Sequence, residues 1–401
     1  MATNSASERH DRLMTLPPVL RGGFRPFFLS GAAWAVAVVG LWVCALSGAV
    51  TLPTAFDPLA WHRHEMLFGY LGAVICGFLL TAIPNWTGRL PISGSPLAGL
   101  WSLWFIARLA LLFSATTGAT LAFFLDVGFF VVLGLVAARE VIAAKNRNLP
   151  IVVMILLFAA ANAIDHGEAL GCIDLGGLGW RLGLGLVLMM IGLIGGRIIP
   201  SFTRNWLTKN GATTGMPGQP GRFDMVTLGV MAASLIAWAA APDAQVSAML
   251  LLAAGTLQAV RLARWSGARA VRDPLVFILH VAYAWLPLGL LLLGGSVFFS
   301  NLPRSSALHA LAAGAMASMT LAVMTRATLG HTGRTLRADG WTVTMYALVT
   351  IGAALRVAAP LLPMDYMRAI EFAGAAWGGA FLMFVLAYGP KLLGPRPDGR
   401  P

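Results

Sequence analysis

The chain has 401 residues, of which 58% are hydrophobic and only 11% are charged, and its mean hydropathy is +0.77. Since roughly a quarter of the residues in soluble domains are charged, this composition excludes an ordinary soluble protein. The predicted class is an all-α, polytopic integral membrane helical bundle. Its 3 cysteines form no C-x-x-C pair, which argues against a disulfide framework, a thiolate zinc site and covalently attached haem.

Apolar runs about twenty residues long, enough to cross a bilayer core of about 30 Å, follow one another along the chain. The shortest interruption is the segment 114–118 between the third and fourth runs, so eleven or thirteen spans are alternatives to twelve. The twelve predicted spans are 26–50, 64–83, 97–115, 119–139, 150–168, 180–199, 224–241, 245–263, 274–298, 305–326, 341–359 and 367–388.

The distribution of basic residues predicts the orientation. With both termini in the cytoplasm, most of the 28 Lys and Arg residues lie on the cytoplasmic side, as the positive-inside rule requires. This topology explains the net charge of +12 without a nucleic-acid partner. The predicted organisation is a cytoplasmic tail (1–25), one transmembrane domain (26–390) with a flexible cytoplasmic loop (204–222), and a second cytoplasmic tail (391–401).

Weak internal similarity links the ends of three spans. Ile83-Pro84 closes the second span and Ile199-Pro200 closes the sixth, while Thr332-Gly333-Arg334 after the tenth repeats Thr87-Gly88-Arg89 after the second. We therefore expect spans two, six and ten to be equivalent members of three four-helix units. The alternative is that helix ends simply share Pro, Gly and Arg.

Histidines are the main functional signal, because an ionisable group inside a membrane indicates a functional site by default. An outer layer holds His62, His64, His166 and His309. Residues two apart point in nearly opposite directions on a helix, so we expect only one of His62 and His64 to face the bundle. Imidazole binds metal ions and, as an axial pair, haem iron. For His166, simple hydrogen bonding to loop carbonyls is an equal alternative.

An inner layer holds His280 and His331, and Tyr283 shares a helix face with His280 because the two are three residues apart. Met66 is the methionine expected to contact a metal. Arg63 and Arg304 are outer-layer cations that could neutralise haem propionates, or simply contact lipid headgroups.

Carboxylates are sparse and predict no proton relay. Glu65, Asp126, Glu168 and Glu371 fall in the outer halves of spans without a visible partner. Glu65 follows His62 by three residues, so it could orient that imidazole.

Two segments are distinctive in combination: Trp61-His62-Arg63-His64-Glu65-Met66 and Leu329-Gly330-His331-Thr332-Gly333-Arg334. Together with the segments 24–29, 77–88, 195–203 and 280–285, they resemble the NnrS family. The resemblance covers residues 24–335. It implies twelve spans, haem and copper, and a role in nitric oxide metabolism in the inner membrane of denitrifying or nitrosatively stressed bacteria.

The expected protein therefore carries b-type haem and copper and binds, detoxifies or processes nitric oxide, with an electron donor that the sequence does not identify. Whether it turns nitric oxide over is left open. By analogy with haem-copper oxidases, which also have twelve spans in three arcs, we expect His64 or His62 to pair with His309 at haem iron. The alternatives are a secondary transporter of haem, metal or a small anion without redox activity, and a cofactor-carrying sensor or assembly factor.

Copper ligands are less well defined, because spans six and seven lack the histidines that an oxidase-type copper site would need. Copper could use whichever of His62 and His64 is left, together with Met66 or His166. The inner pair of His280 and His331 is the other option.

Overall fold

The computed structural model describes residues 13–400. It is 78% helical, with no strand among the described residues. Twelve of its helices are long and apolar enough to cross a membrane, which confirms the predicted class and number of spans. They are α1 (Phe24–Leu46), α2 (Pro58–Thr87), α3 (Ser95–Leu112), α4 (Ala119–Ala143), α5 (Leu149–Ala169), α6 (Leu178–Lys209), α7 (Arg222–Ala240), α8 (Gln245–Ala263), α9 (Pro274–Phe298), α10 (Arg304–His331), α11 (Gly340–Leu361) and α12 (Tyr366–Leu393).

Local sequence sets the ends of α2. Its first residue is Pro58, whose missing N–H and fixed φ suit the first helical position. The preceding Asp57 carboxylate accepts hydrogen bonds from the backbone N–H groups of Leu59 and Ala60, at 2.9 and 3.1 Å. At the other end Gly88 adopts a left-handed conformation with φ +68°, where a glycine carries no steric penalty. These signals extend α2 beyond its predicted span 64–83 at both ends.

The described chain divides into two compact units. Unit one contains residues 13–183, 324–335 and 382–400, and therefore α1–α5 with the beginning of α6 and the last turns of α10 and α12. Within it, Arg25 at the start of α1 donates to the carbonyls of Leu392 and Gly394, both at 2.8 Å. This buried guanidinium caps the end of α12. Unit two contains residues 184–323 and 336–381.

Three of the twelve helices contain a π-helical segment, and they are α2, α6 and α10. The segments are Glu65–Tyr70, Ile191–Gly195 and Ala310–Met316. The residues just before them are His64, Met190 and His309, and each is followed five positions later by glycine. A wider turn of this kind is rare and is often found at functional sites. Its recurrence supports the hypothesis of three repeats, which stays a prediction.

The loop between α6 and α7 is shorter than predicted. We expected a flexible loop over 204–222, but α6 continues through Lys209 and α7 begins at Arg222. Hydropathy ends the span at the first polar residues, whereas backbone hydrogen bonding continues for three further turns. Arg204 in this polar part of α6 donates to the Pro217 carbonyl at 2.6 Å.

The predicted tails are only partly described. The first twelve residues of the expected tail 1–25 lie outside the described residues, and α1 begins inside the predicted tail at Phe24. The expected tail 391–401 begins while α12 is still helical, because that helix ends at Leu393.

Candidate functional site

The most chemically dense part of unit one is built by α1–α5. His64 comes from α2, Asp126 from α4, and Asn162, Asp165 and His166 from α5. All five side chains are fully buried. We call His64, Asp126 and His166 the triad, because a ligand atom of each lies within 4.8 Å of the others.

The triad meets at one carboxylate oxygen. His64 Nε2 lies 2.8 Å from Asp126 Oδ2, and His166 Nε2 lies 3.1 Å from the same atom. The two imidazole rings have centroids 4.7 Å apart and an interplanar angle of 78°. Two ring nitrogens and a carboxylate oxygen from three helices therefore converge on one small volume.

The second nitrogen of His64 is also engaged. Its Nδ1 lies 2.8 Å from Asp165 Oδ2, and Arg63 donates to the other oxygen of Asp165 at 3.1 Å. The Arg63 side chain is 32% exposed, whereas Asp165 is fully buried. Arg63 also lies over the Trp180 ring, 5.3 Å from its centroid. Asp165 thus fixes the orientation of the His64 ring, and Arg63 fixes Asp165.

The far side of Asp126 faces a buried guanidinium. Arg108 of α3 donates to Asp126 Oδ1 and, at 2.8 Å, to Glu65 Oε1. Glu65 Oε2 in turn accepts from the indole of Trp34 in α1 at 2.5 Å. Asn162 donates to Asp126 Oδ2 at 3.0 Å. Every oxygen of Glu65 and Asp126 is therefore held in place by a neighbouring helix.

Formal charge does not balance in this network. Three carboxylates (Glu65, Asp126, Asp165) face two guanidinium groups (Arg63, Arg108), which leaves one excess negative charge when both imidazoles are neutral. Buried ion pairs are weak sources of stability, and an uncompensated buried charge is costly. A cation bound at the triad, or a proton on His64, would offset the excess.

Several polar atoms around the triad have no hydrogen-bond partner among the described residues. They are Asn162 Oδ1, His166 Nδ1 and Arg108 Nε, all buried. Buried polar groups are normally paired, so orphans of this kind point to an absent ligand or water. Their position around one cluster is informative, because the apolar surroundings offer no substitute partner.

Aromatic rings enclose the two imidazoles. Phe56 packs edge-on against both, with centroids 5.4 Å from His64 and 5.2 Å from His166. Phe68 lies 5.0 Å from His64, and Phe123 lies 5.5 Å from His166. The site is therefore a polar core surrounded by apolar side chains. Entry into such a site costs less desolvation free energy for a small uncharged molecule than for an ion.

Unit two contains a second buried network. Arg261 of α8 donates to Asp224 Oδ1 at 2.7 Å, to the Gly192 carbonyl at 2.8 Å and to the Tyr283 hydroxyl at 3.1 Å. Tyr283 donates onward to Gln258 Oε1 at 2.7 Å. The one carboxylate, Asp224, faces the buried Arg261 and, at 4.0 Å, the more exposed Arg264, so no negative charge is in excess. This network holds α6, α7, α8 and α9 together.

The expected pair of His280 and Tyr283 does not share a site. His280 Nε2 lies 2.8 Å from the Thr203 hydroxyl, whereas Tyr283 belongs to the Arg261 network. His280 Nδ1 is buried without a partner in the described chain and faces Gly267. His331 is in unit one, where its ring packs 5.5 Å from that of Phe24.

The remaining predicted residues lie away from the triad or support it indirectly. His62 stacks on Trp42 at 4.8 Å, so the structure turns His64, not His62, towards the polar core. Met66 packs against the apolar cluster around Trp61. Arg304 pairs with Asp243 at 2.5 Å on the surface of unit two. His309 is also in unit two, with Nδ1 2.7 Å from the Ser305 carbonyl.

One expectation about carboxylates was wrong. Glu65 does not orient His62 but pairs with Arg108 and Trp34, because the π-helical turn that begins at Glu65 directs it towards α3 and α1. Asp126 is paired with four side chains, although no partner is visible in the sequence around it. Contacts between helices distant in sequence carry both interactions.

Sequence reasoning overlooked Asn162, Asp165 and Arg108 as site residues. A signal was present, since Asn162, Asp165 and His166 are spaced i, i+3, i+4 and must share one face of α5. Arg108 and Asp126 also interrupt otherwise apolar spans, which alone marks them as functional candidates.

A transition-metal ion fits the triad. Imidazole nitrogen and carboxylate oxygen suit divalent copper, zinc and iron, and a metal-bound histidine commonly donates its other N–H to a carboxylate, as His64 does to Asp165. At His64, both ring nitrogens face buried carboxylates, so a small ion shared with Asp126 suits Nε2 better than haem iron, which would have to displace that carboxylate. His309 leaves Nε2 available as a ligand atom, since its Nδ1 donates to the Ser305 carbonyl.

The fold and the site together define a multi-pass helical membrane protein with a buried group of side chains able to hold a metal ion. The chain belongs to the NnrS family, since the family model described as NnrS protein matches residues 18–396. No curated protein matches the chain at a significant level.

Proposed function

We propose that this protein is a metal-containing membrane protein that binds and processes nitric oxide, with its metal ion held by His64, Asp126 and His166. The observation that carries the proposal is the convergence of these buried ligand atoms within 4.8 Å. The NnrS resemblance implies the haem, copper and nitric oxide parts of the proposal. A bound redox metal supplies electron exchange and a coordination position for nitric oxide.

Different residues of the site have different roles in holding the metal ion. His64 and His166 present nitrogen ligands, and Asp126 presents the anionic oxygen. Asp165 holds His64 in the tautomer with the proton on Nδ1, so that Nε2 is left to bind. Phe56, Phe68 and Phe123 keep water away while admitting a small uncharged molecule.

We further propose that haem binds through His309. Its Nδ1 is anchored 2.7 Å from the Ser305 carbonyl, which orients the ring for iron at Nε2. The same proposal places the protein in the bacterial inner membrane with both termini in the cytoplasm. Reporter fusions after residue 216 and at the C-terminus, both active only in the cytoplasm, would test that orientation.

The central test is metal and nitric oxide binding by the detergent-purified full-length protein. We expect substoichiometric or absent non-haem metal in His166→Ala and retained metal in His280→Ala, a matched variant that removes a buried histidine of unit two. Anaerobic nitric oxide should change the absorption or EPR spectrum of the wild type. A non-haem metal nitrosyl signal of equal size in the wild type and in His166→Ala would contradict the proposal for this site.

A further inference from the structure

The geometry of the triad carries information on which metal it selects. With metal–ligand bonds of about 2.1 Å, adjacent ligands lie about 3.0 Å apart in an octahedral complex and about 3.4 Å apart in a tetrahedral one. The observed separations from Asp126 Oδ2 are 2.8 Å to His64 Nε2 and 3.1 Å to His166 Nε2. Both agree better with the octahedral value.

The imidazole rings give an independent estimate of the angle at the metal. With the same bond length, two histidines at right angles have ring centroids about 4.6 Å apart, and two opposite histidines about 6.5 Å apart. The observed centroid separation is 4.7 Å. This value and the two distances from Asp126 Oδ2 are those expected if His64, His166 and Asp126 occupy one face of an octahedron around a shared metal ion.

The donor atoms of the triad also match a known class of metal site. Two imidazoles and one carboxylate on one face, with the other positions open, are the ligand set of non-haem ferrous iron. Cu(I) favours soft sulfur ligands, and Met66 packs against the apolar cluster around Trp61. Cu(II) favours ligands in a square plane, which three mutually adjacent ligands do not provide.

The side chains around the triad also favour a bound ion with open coordination positions. Asn162 Oδ1 is buried without a partner among the described residues, while its Nδ2 lies 3.0 Å from the ligand oxygen of Asp126. The excess negative charge of the network favours a cation at the same point. The Asn162 amide nitrogen lies beside the triad and uses only one of its two hydrogens on Asp126, so the second can be donated to a small ligand on the metal, whereas the unpartnered Oδ1 is an acceptor.

We propose that the triad is a non-haem ferrous iron site, and that nitric oxide binds the iron on its open face beside Asn162. The nitric oxide part rests on the proposed function, whereas the metal assignment does not depend on it. Binding requires no electron transfer, because nitric oxide adds to ferrous iron as a ligand.

The experiment uses full-length protein purified anaerobically, stripped with a chelator and titrated separately with Fe(II), Cu(I) and Cu(II). We expect one non-haem Fe(II) per chain, and on adding nitric oxide the high-spin EPR signal of a non-haem ferrous nitrosyl, which a haem nitrosyl does not give. In Asp126→Asn and His166→Gln we expect iron affinity to fall by at least about tenfold. His280→Ala, folded to the same extent by size exclusion, should bind iron like the wild type.

The outcomes separate the two proposals. Retention of copper but not iron at the triad would overturn the iron assignment and leave the proposed function standing. Iron that binds without a nitrosyl signal would overturn the nitric oxide part. A stripped protein that binds none of these ions would show that the network is only an imidazolium–carboxylate ion pair, and would overturn both. Asn162→Leu tests the donor role: iron content should be unchanged while nitric oxide dissociates faster.

Discussion

The two buried networks contain similar side chains but differ in how completely they are satisfied. In unit two, Asp224 is neutralised by Arg261, with Arg264 at 4.0 Å, and Tyr283 and Gln258 complete the hydrogen bonds. In unit one, the carboxylates outnumber the guanidinium groups, and Asn162 and His166 each keep an unpartnered atom within the described residues. In a buried network that only stabilises packing, every polar atom can have a partner within the protein. A network that binds a ligand must keep some polar atoms without a protein partner.

The largest effect on stability is expected from breaking the balanced network. Asp224→Leu leaves the Arg261 guanidinium buried without a counter-ion, so the free energy of unfolding should fall by about 3–5 kcal/mol. Thermal unfolding in detergent measures this. The double variant Asp224→Leu/Arg261→Met should recover part of the loss, because a buried pair can be replaced by apolar groups at little cost. No recovery would contradict the structural role.

In unit one, the corresponding disruption should reduce metal binding more than stability. Asp165→Asn keeps the shape of the side chain but removes the charge that orients His64, so metal affinity should fall about 10- to 100-fold. Competition with a chromophoric chelator measures it. Asp174→Asn, an exposed substitution in the loop that follows α5, is the control and should leave metal affinity unchanged. Equal affinity in wild type and Asp165→Asn would remove Asp165 from the site.

A smaller change in stability is expected from Gly69, a glycine in the π-helical segment of α2 that packs against the unit-one network. A Cβ on Gly69 would overlap the Glu65 carboxylate and approach Arg108, so Gly69→Ala should destabilise by about 1–3 kcal/mol and disturb the triad. Gly99→Ala is the matched control, because nothing lies within 4 Å of its added methyl group. Thermal unfolding of both variants should separate them. A Gly69→Ala protein as stable as the control would show that the π-helical turn is not tightly packed.

The smallest effect is expected at the exposed C-terminal ion pair. Arg396 donates to Asp398 at 2.6 Å and holds the pKa of that carboxyl well below its usual range. A depressed folded-state pKa stabilises above the ordinary aspartate pKa of about 3.9, and the contribution is lost only as the pH falls below it. Because Asp398 is an exposed residue, Asp398→Asn should leave the melting temperature unchanged at pH 7. A clear shift would indicate an unrecognised contact.

Hydropathy and spacing were sufficient for the fold. Spans eight and nine, 245–263 and 274–298, coincide with α8 and α9, because the apolar runs end at Arg264 and Asp273. The error at 204–209 arose because a helix can continue beyond the membrane core, where polar residues cost nothing. The hydrophobic periodicity of the sequence does not show where the helix ends beyond the membrane core.

The site was predicted only in part. His64 and His166 were both predicted as candidate ligands, and the structure brings them together. Asp126 was overlooked as a ligand because its partners come from α2, α3 and α5, and no single-sequence pattern encodes contacts between helices. The proposed pairing of His64 with His309 depended on an analogy and stays a prediction, although the two carboxylates on His64 do not favour it.

The π-helical turns have a further consequence. A π-turn is equivalent to one residue inserted into an α-helix. In α2 it begins directly after His64 and ends at Tyr70, before the long packed part of the helix. The turn that carries His64 can thus point in a direction about the helix axis different from the direction in which the rest of α2 packs on its neighbours. Such an offset would let evolution alter the chemistry at one end of a span while the rest of the helix keeps its neighbours.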